Sequence, residues 1–231
     1  MPRHMPPKAF NNAEFVNSRD GRVMRIMAEY LEPQKRLREA GIEDTIVFFG
    51  SARTLSRSDA QQALSTLREK GDAPSEDILR AERGLEMSRY YESARELAYR
   101  LTKWAEELAR RQNVAGNRFS VVTGGGPGIM EAANRGADEA GGSTIGMNIS
   151  LPFEQYPNEY ISDGLAFEFH YFFMRKFWLV YLAKAAVVMP GGFGTLDEFM
   201  ELLTLVQTEK IRRKLPIVLF GSQYWANIVK F

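Results

Sequence analysis

The chain has 231 residues, of which 45% are hydrophobic and 26% are charged, and its formal net charge at pH 7 is +1. This composition is typical of a globular protein with one core, and so small a net charge argues against a protein that binds nucleic acid through a large basic surface. The chain has no cysteine and two histidines, His4 and His170, which excludes disulfides and thiolate chemistry and disfavours a multi-histidine zinc site or a histidine-based triad.

Neither a secretory signal nor a membrane span is predicted. Residues 1–20 are polar and lack the apolar core of a signal, so a cytoplasmic protein is expected. The most apolar stretch is residues 165–183. Four ionisable side chains lie near its middle: Glu168, His170, Arg175 and Lys176. Because charges are costly inside a bilayer, this stretch is predicted to be buried within the protein itself.

Residues 1–44 are predicted to form an amino-terminal arm followed by a helical extension. The apolar positions of the extension recur at helical spacing: Met24, Met27 and Leu31. Pro33 is predicted to break or restart this helix, because proline has no N–H to donate and its ring clashes with the preceding turn.

From residue 45 onward, alternating strands and helices predict a single Rossmann-like domain, residues 45–231. Strands are predicted at 45–49, 119–123, 144–147, 186–189 and 215–220, and helices at about 76–111, 129–140, 171–184 and 195–209. Elements in this order form an α/β fold, a doubly wound, mostly parallel sheet with helices on both faces. The packing face of the long helix is predicted at Tyr90, Ala94, Leu97, Leu101, Trp104 and Leu108. A helical insertion at about 54–87 interrupts the domain, and a further helix is expected to cover the last strand.

Two glycine-rich segments each follow a predicted strand and open a helix: Thr123-Gly-Gly-Gly-Pro-Gly-Ile-Met130 and Pro190-Gly-Gly-Phe-Gly-Thr195. Open α/β sheets bind ligands at this edge, and the free N–H groups and dipole of a helix start favour negative charge. The spacing fits neither the G-x-G-x-x-G dinucleotide fingerprint nor the G-x-x-x-x-G-K-[ST] phosphate loop. Two such loops indicate a phosphate-bearing ligand, although glycines at either place also serve tight strand-to-helix turns.

Three charged residues are candidates for the chemistry. Arg175 and Lys176 lie in a predicted helix among aromatic side chains and need an anionic partner, unless they reach the surface or pair with a structural carboxylate. Glu198 follows Thr195 by three residues, so Thr-x-x-Glu is also predicted to be a capping box. A carboxylate in the first helical turn is favoured in its ionised form. That form suits stabilisation of an oxocarbenium-like transition state, or orientation of an attacking water, better than general-acid catalysis.

Three segments together resemble the signature of the LOG family: Gly124-Gly-Gly-Pro-Gly-Ile-Met130, Met174-Arg-Lys176 and Pro190-Gly-Gly-Phe-Gly-Thr-Leu-Asp-Glu198. Members of this family are cytokinin riboside 5′-monophosphate phosphoribohydrolases and bacterial relatives that act on AMP-like nucleotides. The segments Phe48-Phe-Gly-Ser-Ala-Arg53 and Asn148-Ile-Ser-Leu-Pro152 are closer to the longer bacterial branch.

The resemblance implies hydrolysis of a purine nucleoside 5′-monophosphate to free base and ribose 5-phosphate, with Arg175 and Glu198 as the catalytic pair. The implied binding residues are Ser51, Gly125, Gly126, Glu154, Lys176, Gly191, Gly192, Gly194 and Thr195. The last four of these would hold the 5′-phosphate, and Glu154 would contact the base or ribose. The resemblance implies no metal ion or organic cofactor and suggests a homodimer or higher homo-oligomer, and neither nucleic acid nor a membrane is expected as a partner.

Two other functions remain open at this point. A non-catalytic nucleotide or molybdenum-cofactor carrier of the same fold would keep both glycine loops but would not need Arg175 and Glu198 together. A pyridoxal phosphate-dependent decarboxylase, the activity for which many relatives were once labelled, would need a Schiff-base lysine. Lys176 and Lys184 are available, but neither lies in a recognisable cofactor motif.

Overall fold

The structure is a computed structural model, and it describes residues 5–113, 116–152 and 156–229. The strands within these residues are β1 (Thr45–Phe49), β2 (Ser120–Thr123), β3 (Thr144–Ile149), β4 (Ala166–Phe169), β5 (Ala183–Val188) and β6 (Ile217–Leu219). The helices are α1 (Ala13–Asn17), α2 (Arg22–Glu39), α3 (Arg57–Glu69), α4 (Ser75–Gln112), α5 (Ile129–Glu139), α6 (Phe172–Tyr181), α7 (Phe193–Gln207) and α8 (Ser222–Trp225). None of the helices so described is long and apolar enough to cross a membrane.

The strands of the described residues form one six-stranded sheet in the order β4-β3-β2-β1-β5-β6, and every neighbouring pair is parallel. Alternate side chains of β1 point to opposite faces of this sheet. Val47 and Phe49 pack in a layer with α2, α6 and α7, whereas Ile46 and Phe48 pack in a layer with α4 and α5. The predicted doubly wound fold with helices on both faces is therefore confirmed.

The strand order reverses at β1. The chain passes from β1 outward through β2, β3 and β4, and then returns to the other side of β1 with β5, so that Phe49 pairs with Val188. Ligands of open α/β sheets bind at such a switch point, in the crevice beyond the carboxyl ends of the strands. The loops that follow β1, β2 and β5 meet at this place.

The predicted helix break at Pro33 is wrong. Helix α2 continues through Pro33, which is buried. Proline cannot bond to the carbonyl four residues before it, here that of Glu29, and this oxygen instead accepts a hydrogen bond from Trp178 Nε1 at 3.0 Å. A bond from another helix thus replaces the missing helical one.

The apolar segment 165–183 is divided into strands and a helix at other residues than predicted. Its first part forms the edge strand β4, which is not among the predicted strands, and α6 ends early enough for β5 to begin at Ala183. A run in which most residues are apolar has no clear period, so it does not mark where the strand ends and the helix begins.

The packing face of α4 agrees only in part with the predicted one. Of the predicted residues, Tyr90 and Ala94 are buried, and Leu97 and Leu101 pack against the core. The buried face also contains residues that were not predicted: Tyr91, Ala98, Thr102 and Ala105. Trp104 is 46% exposed and lies beside the ring of Phe119. Small residues face α5 because the two helices approach closely: a Cβ on Gly136 would clash with the carbonyl oxygen of Arg95.

Candidate active site

Three loops meet at the switch point, backbone against backbone. The Ser51 N–H donates to Pro190 O, and the Ile129 N–H donates to Ser51 O, each at 3.0 Å. A Cβ on Gly128 would clash with the Ser51 carbonyl, and one on Gly191 would lie 3.0 Å from the Ser51 nitrogen. The glycines at these two positions are therefore required for the loops after β1, β2 and β5 to pack together.

The loop after β5 has an inner and an outer side. On the inner side Thr195 is 5% exposed and packs so closely on Gly191 that a Cβ there would clash with the threonine hydroxyl. On the outer side a Cβ on Gly192 or Gly194 would meet nothing within 4 Å. The helix cap at Gly192 has no side-chain hydrogen bond, so no side chain caps α7 at this place.

The predicted capping box is not formed. Helix α7 begins at Phe193, with Gly192 as its cap, so Thr195 lies inside the first turn rather than at the cap. The glycine loop continues directly into the helix, which moves the helix start ahead of the threonine. The Glu198 carboxylate is consequently free of a capping role, and it bonds to Arg175 instead.

Arg175 and Glu198 form an ion pair between α6 and α7. Arg175 Nη1 lies 3.0 Å from Glu198 Oε1, and Arg175 Nε donates to Met147 O at 2.8 Å. The side chains are only 12% and 13% exposed. A Cβ on Gly124 would clash with Arg175 Nη2, so the first glycine loop is shaped to let the guanidinium lie against it. The pair thus lies at the carboxyl edge of the sheet, next to both glycine loops.

The electrostatic environment of Glu198 differs from the sequence-based expectation. Burial raises the pKa of the Glu198 carboxyl, and the positive charges of Arg175 and Lys176 only partly oppose this, while Asp197 adds to it. The dipole of α7 contributes little because its effect is confined to the first turn, and Glu198 lies beyond the turn that starts at Phe193. A carboxylate of raised pKa is a stronger base than an ordinary glutamate.

Lys176 is engaged by two carboxylates of α7. Its Nζ lies 2.7 Å from Asp197 Oδ2 and 3.0 Å from Glu201 Oε2. Burial alone would lower the pKa of Lys176, but hydrogen bonds to these two carboxylates outweigh it and raise the pKa. Pairing with carboxylates, which the sequence left open, is therefore observed, and a contact of Lys176 with substrate stays a prediction.

Two asparagines hold the first glycine loop. The Asn158 side chain donates to Gly125 O at 3.1 Å and Gly126 O at 3.0 Å, and the Gly125 N–H donates to Thr123 Oγ1 at 2.9 Å. In the amide orientation that satisfies both of its side-chain atoms, Asn148 donates to Gly125 O at 3.3 Å and to the preceding carbonyl at 3.0 Å. The carbonyls of Gly125 and Gly126 and the N–H of Gly125 are thus already engaged in holding the loop.

Two arginines that the sequence analysis did not select lie beside the second glycine loop. Arg53 and Arg83 line a cavity of about 270 Å³ whose wall includes Gly191 and Gly192. Both side chains are exposed, and neither forms an ion pair with another described residue. Arg83 belongs to the part of α4 within the predicted insertion, which gave no sign of a site because its neighbours are mostly charged surface residues.

Most of the predicted site residues meet at the switch point: Ser51, the residues of both glycine loops, Arg175 and Glu198. Lys176 is paired with the carboxylates of α7, and Glu154 lies outside the described residues, so its role stays a prediction. No group of three or more His, Asp or Glu side chains that could hold a metal ion occurs in the described part of the chain. The arrangement places a largely buried carboxylate, oriented by a guanidinium, next to an open glycine loop at the start of a helix, where negative charge is favoured.

The carboxyl-terminal part of the chain matches known proteins. A family model described as "possible lysine decarboxylase" matches residues 130–231. A probable cytokinin riboside 5′-monophosphate phosphoribohydrolase of Oryza sativa subsp. japonica is 28% identical over 116 residues, 48% of this chain and 44% of the relative. A cytokinin riboside 5′-monophosphate phosphoribohydrolase of Rhodococcoides fascians is 28% identical over 130 residues, 55% of this chain and 63% of the relative. These matches bear out the resemblance to the LOG family, and this chain spans less than two thirds of the length of either curated relative.

Similar solved structures include the X-ray structure of TM1055, with 24% identity, a TM-score of 0.48 and coverage of 80% of this chain and 78% of that one. Another is the Moco carrier protein of Chlamydomonas reinhardtii, with 19% identity, a TM-score of 0.40 and coverage of 76% of each chain. At these TM-scores neither structure bears on what this protein does.

Proposed function

We propose that this protein hydrolyses the N-glycosidic bond of purine nucleoside 5′-monophosphates, either AMP or a cytokinin riboside monophosphate. The products are the free base and ribose 5-phosphate. The observation that carries the proposal is the buried Arg175–Glu198 pair, whose atoms lie 3.0 Å apart beside the open loop at the start of α7. The names of the two curated relatives support the same reaction.

In the proposed reaction a water molecule attacks C1′ of the ribose and the bond from C1′ to the base nitrogen breaks. The bonding electrons leave with the base, which takes up a proton, and the water oxygen remains on ribose 5-phosphate. Glu198 stabilises the positive charge that develops on the sugar and orients the water. Arg175 keeps the carboxylate in place through its bonds to Glu198 and Met147 O, and its remaining guanidinium nitrogen is available to the phosphate or the leaving base.

The 5′-phosphate is proposed to bind on the outer side of the second glycine loop. Gly192 and Gly194 leave room for it, and the helix start supplies N–H donors. Arg53 and Arg83 stand at the adjacent cavity, and their planar guanidinium groups suit a phosphate geometrically.

Replacing Arg83 by methionine is expected to raise KM for AMP about tenfold, because it removes one hydrogen bond to the charged phosphate. Residual turnover of adenosine, which has no phosphate, should not change. Arg80→Met is the matched control, because Arg80 lies on the same helix and pairs with Glu76 and Asp77 on the surface. Equal effects of Arg83→Met on AMP and adenosine would contradict a phosphate contact.

The substrate class is tested by incubating the purified protein with AMP, N6-isopentenyl AMP, adenosine and CMP, and following base release by chromatography. The proposal predicts release from the two purine monophosphates and much slower release from adenosine and CMP. Their ranking distinguishes AMP from a cytokinin nucleotide as the preferred substrate. Binding of AMP without any base release would favour the carrier function instead.

We also propose that the protein is a homodimer or a higher homo-oligomer. Four aromatic side chains of α6 are exposed although they lie next to the site: Phe172 by 53%, Phe173 by 51%, Phe177 by 36% and Tyr181 by 45%. So much exposed aromatic surface is typical of a contact between protein chains.

Sedimentation velocity is expected to show a dimer or larger species for the wild type and a monomer for the Phe173→Glu, Tyr181→Glu double variant. Val23→Glu is the control, because Val23 is 69% exposed on a different helix. A wild-type protein that sediments as a monomer at tens of micromolar would contradict the proposal.

A further inference from the structure

Helix α2 of the amino-terminal extension contacts the site helix α6 through one main-chain carbonyl and one aromatic side chain. The Glu29 carbonyl, left without a helical partner by Pro33, accepts the Trp178 Nε1 hydrogen bond at 3.0 Å. The Tyr30 ring lies 5.8 Å from the Trp178 ring and 5.6 Å from the Phe177 ring, measured between centroids. The extension therefore contacts the carboxyl-terminal half of α6.

The Glu29 side chain holds the other end of α6. Its Oε1 accepts from the His170 N–H at 2.8 Å, and its Oε2 accepts from the Tyr171 N–H at 3.2 Å. Tyr171 is the cap of α6, and the helix has no side-chain cap of its own at that residue. A carboxylate from α2 thus accepts from the N–H of the N-cap residue, as the glutamate of a capping box does, and it lies near the positive end of the helix dipole.

These two contacts lie on either side of Arg175. The Arg175 N–H donates to Tyr171 O at 3.1 Å, so the residue that Glu29 holds is also the hydrogen-bond partner of the arginine backbone. Trp178 lies about one helical turn beyond Arg175. One residue of α2 consequently fixes the chain both before and after the arginine that orients Glu198.

The far end of α2 is anchored as well. Arg36 donates to Gly164 O and to Ala166 O, the latter at 2.7 Å, and its guanidinium lies 4.1 Å from the centroid of the Phe167 ring. Leu37 is 3% exposed in the core. Helix α2 is therefore fixed to the sheet independently of α6 and can act as a rigid support for it.

We propose that Glu29 is a positioning residue, which holds α6 so that Arg175 keeps its place between Met147 O and Glu198. This role rests on the proposed function, because it acts through the arginine assigned there to the reaction. It also gives the amino-terminal extension a role, because α2 supplies the carboxylate that bonds the N–H of the α6 N-cap residue.

The test compares Glu29→Gln with Glu39→Gln. The amide in Glu29→Gln keeps the length of the side chain but turns one acceptor into a donor that faces an N–H group. Glu39 lies on the same helix in an exposed pair with Lys35, and it serves as the matched control. For Glu29→Gln we expect kcat for AMP to fall about tenfold, since small misplacements of catalytic groups are costly. Amide hydrogen exchange at His170 and Tyr171 should become faster, and the control should match the wild type in both measurements.

The pH profile separates positioning from a general loss of stability. Both cations that lower the pKa of Glu198, Arg175 and Lys176, are on α6, whereas Asp197, which raises it, and Glu201, which pairs with Lys176, are on α7. Displacement of α6 therefore takes positive charge away from Glu198. The acid limb of kcat should move to higher pH in Glu29→Gln, an effect that lower stability alone would not produce.

If Glu29→Gln does not fold, Trp178→Phe provides the second variant, because it keeps an aromatic ring and removes the indole N–H together with part of the ring volume. It should show the same shift of the acid limb to a smaller extent. The proposal would be overturned if Glu29→Gln showed faster exchange at Tyr171 but kept the kcat and pH profile of the wild type. Unchanged amide exchange in Glu29→Gln would also overturn it. Absence of base release by the wild type would instead contradict the proposed function, and the exchange measurement would still test the contact.

Discussion

Glu198→Gln is expected to lower kcat for base release from AMP by about 10³-fold, because the neutral amide can neither stabilise positive charge on the sugar nor activate water. Binding of AMP, measured by calorimetry, should change little, since the proposed phosphate contacts are made by other groups. Glu201→Gln is the matched control: Glu201 lies on the same helix but pairs with Lys176, away from Arg175. Substantial turnover by Glu198→Gln would show that the carboxylate is not the catalytic group.

The stability of this variant distinguishes loss of chemistry from loss of fold. A carboxyl whose pKa is raised on folding contributes stability below its unfolded pKa, and that contribution is lost as the pH rises through the folded value. Burial raises the pKa of Glu198, so its ionised form lowers the stability of the folded protein at neutral pH. We therefore expect Tm of Glu198→Gln at pH 7 to be no lower than that of the wild type, and the amide oxygen can still accept a hydrogen bond from Arg175.

Arg175→Met and Arg175→Lys are each expected to lower kcat by about 10²-fold, the effect of removing one preorganised donor. Lysine cannot bond both Met147 O and Glu198 in the forked arrangement of the guanidinium, so it should not restore activity. The two variants should differ in pH dependence. Methionine removes the charge that lowers the pKa of Glu198, so its acid limb should move to higher pH, whereas lysine should keep the limb nearer that of the wild type.

The control for these variants is Arg213→Lys. Arg213 donates to Val180 O and Tyr181 O, each at 3.0 Å. These two carbonyls lie at the carboxyl-terminal end of α6, whereas Arg175 lies near its start. Gly124→Ala should reproduce part of the Arg175 defect, because its Cβ would displace the guanidinium. Wild-type activity in Arg175→Lys would contradict a bidentate role for the arginine.

Five of the six described strands and both glycine loops could be predicted because local sequence determines them. The strand Thr45–Phe49 is apolar throughout, and each glycine segment lies where a strand must turn into a helix. The pairing of Arg175 with Glu198 depends on residues 23 positions apart. No periodicity within either helix indicates such a contact. From the sequence, only the family resemblance associates the two residues.

Features that depend on tertiary packing could not be predicted. The Thr-x-x-Glu pattern is compatible with a capping box, but the preceding glycine loop continues into α7 and leaves the carboxylate for Arg175. Pro33 predicts a helix break unless another group satisfies the Glu29 carbonyl, and Trp178, which does so, is 149 residues away. Asn158 and Arg83 come from segments without a motif, and their places beside the glycine loops become evident only once those segments are packed.

The most direct test of the central claim is the molar balance of products formed from AMP. The purified protein and its Glu198→Gln variant are incubated with AMP, and adenine, ribose 5-phosphate, adenosine and phosphate are quantified over time. Glycosidic hydrolysis predicts that the wild type forms adenine and ribose 5-phosphate in equal amounts while the variant forms almost none. Recovery of intact AMP from a protein that binds it, or formation of adenosine and phosphate, would contradict the proposed function.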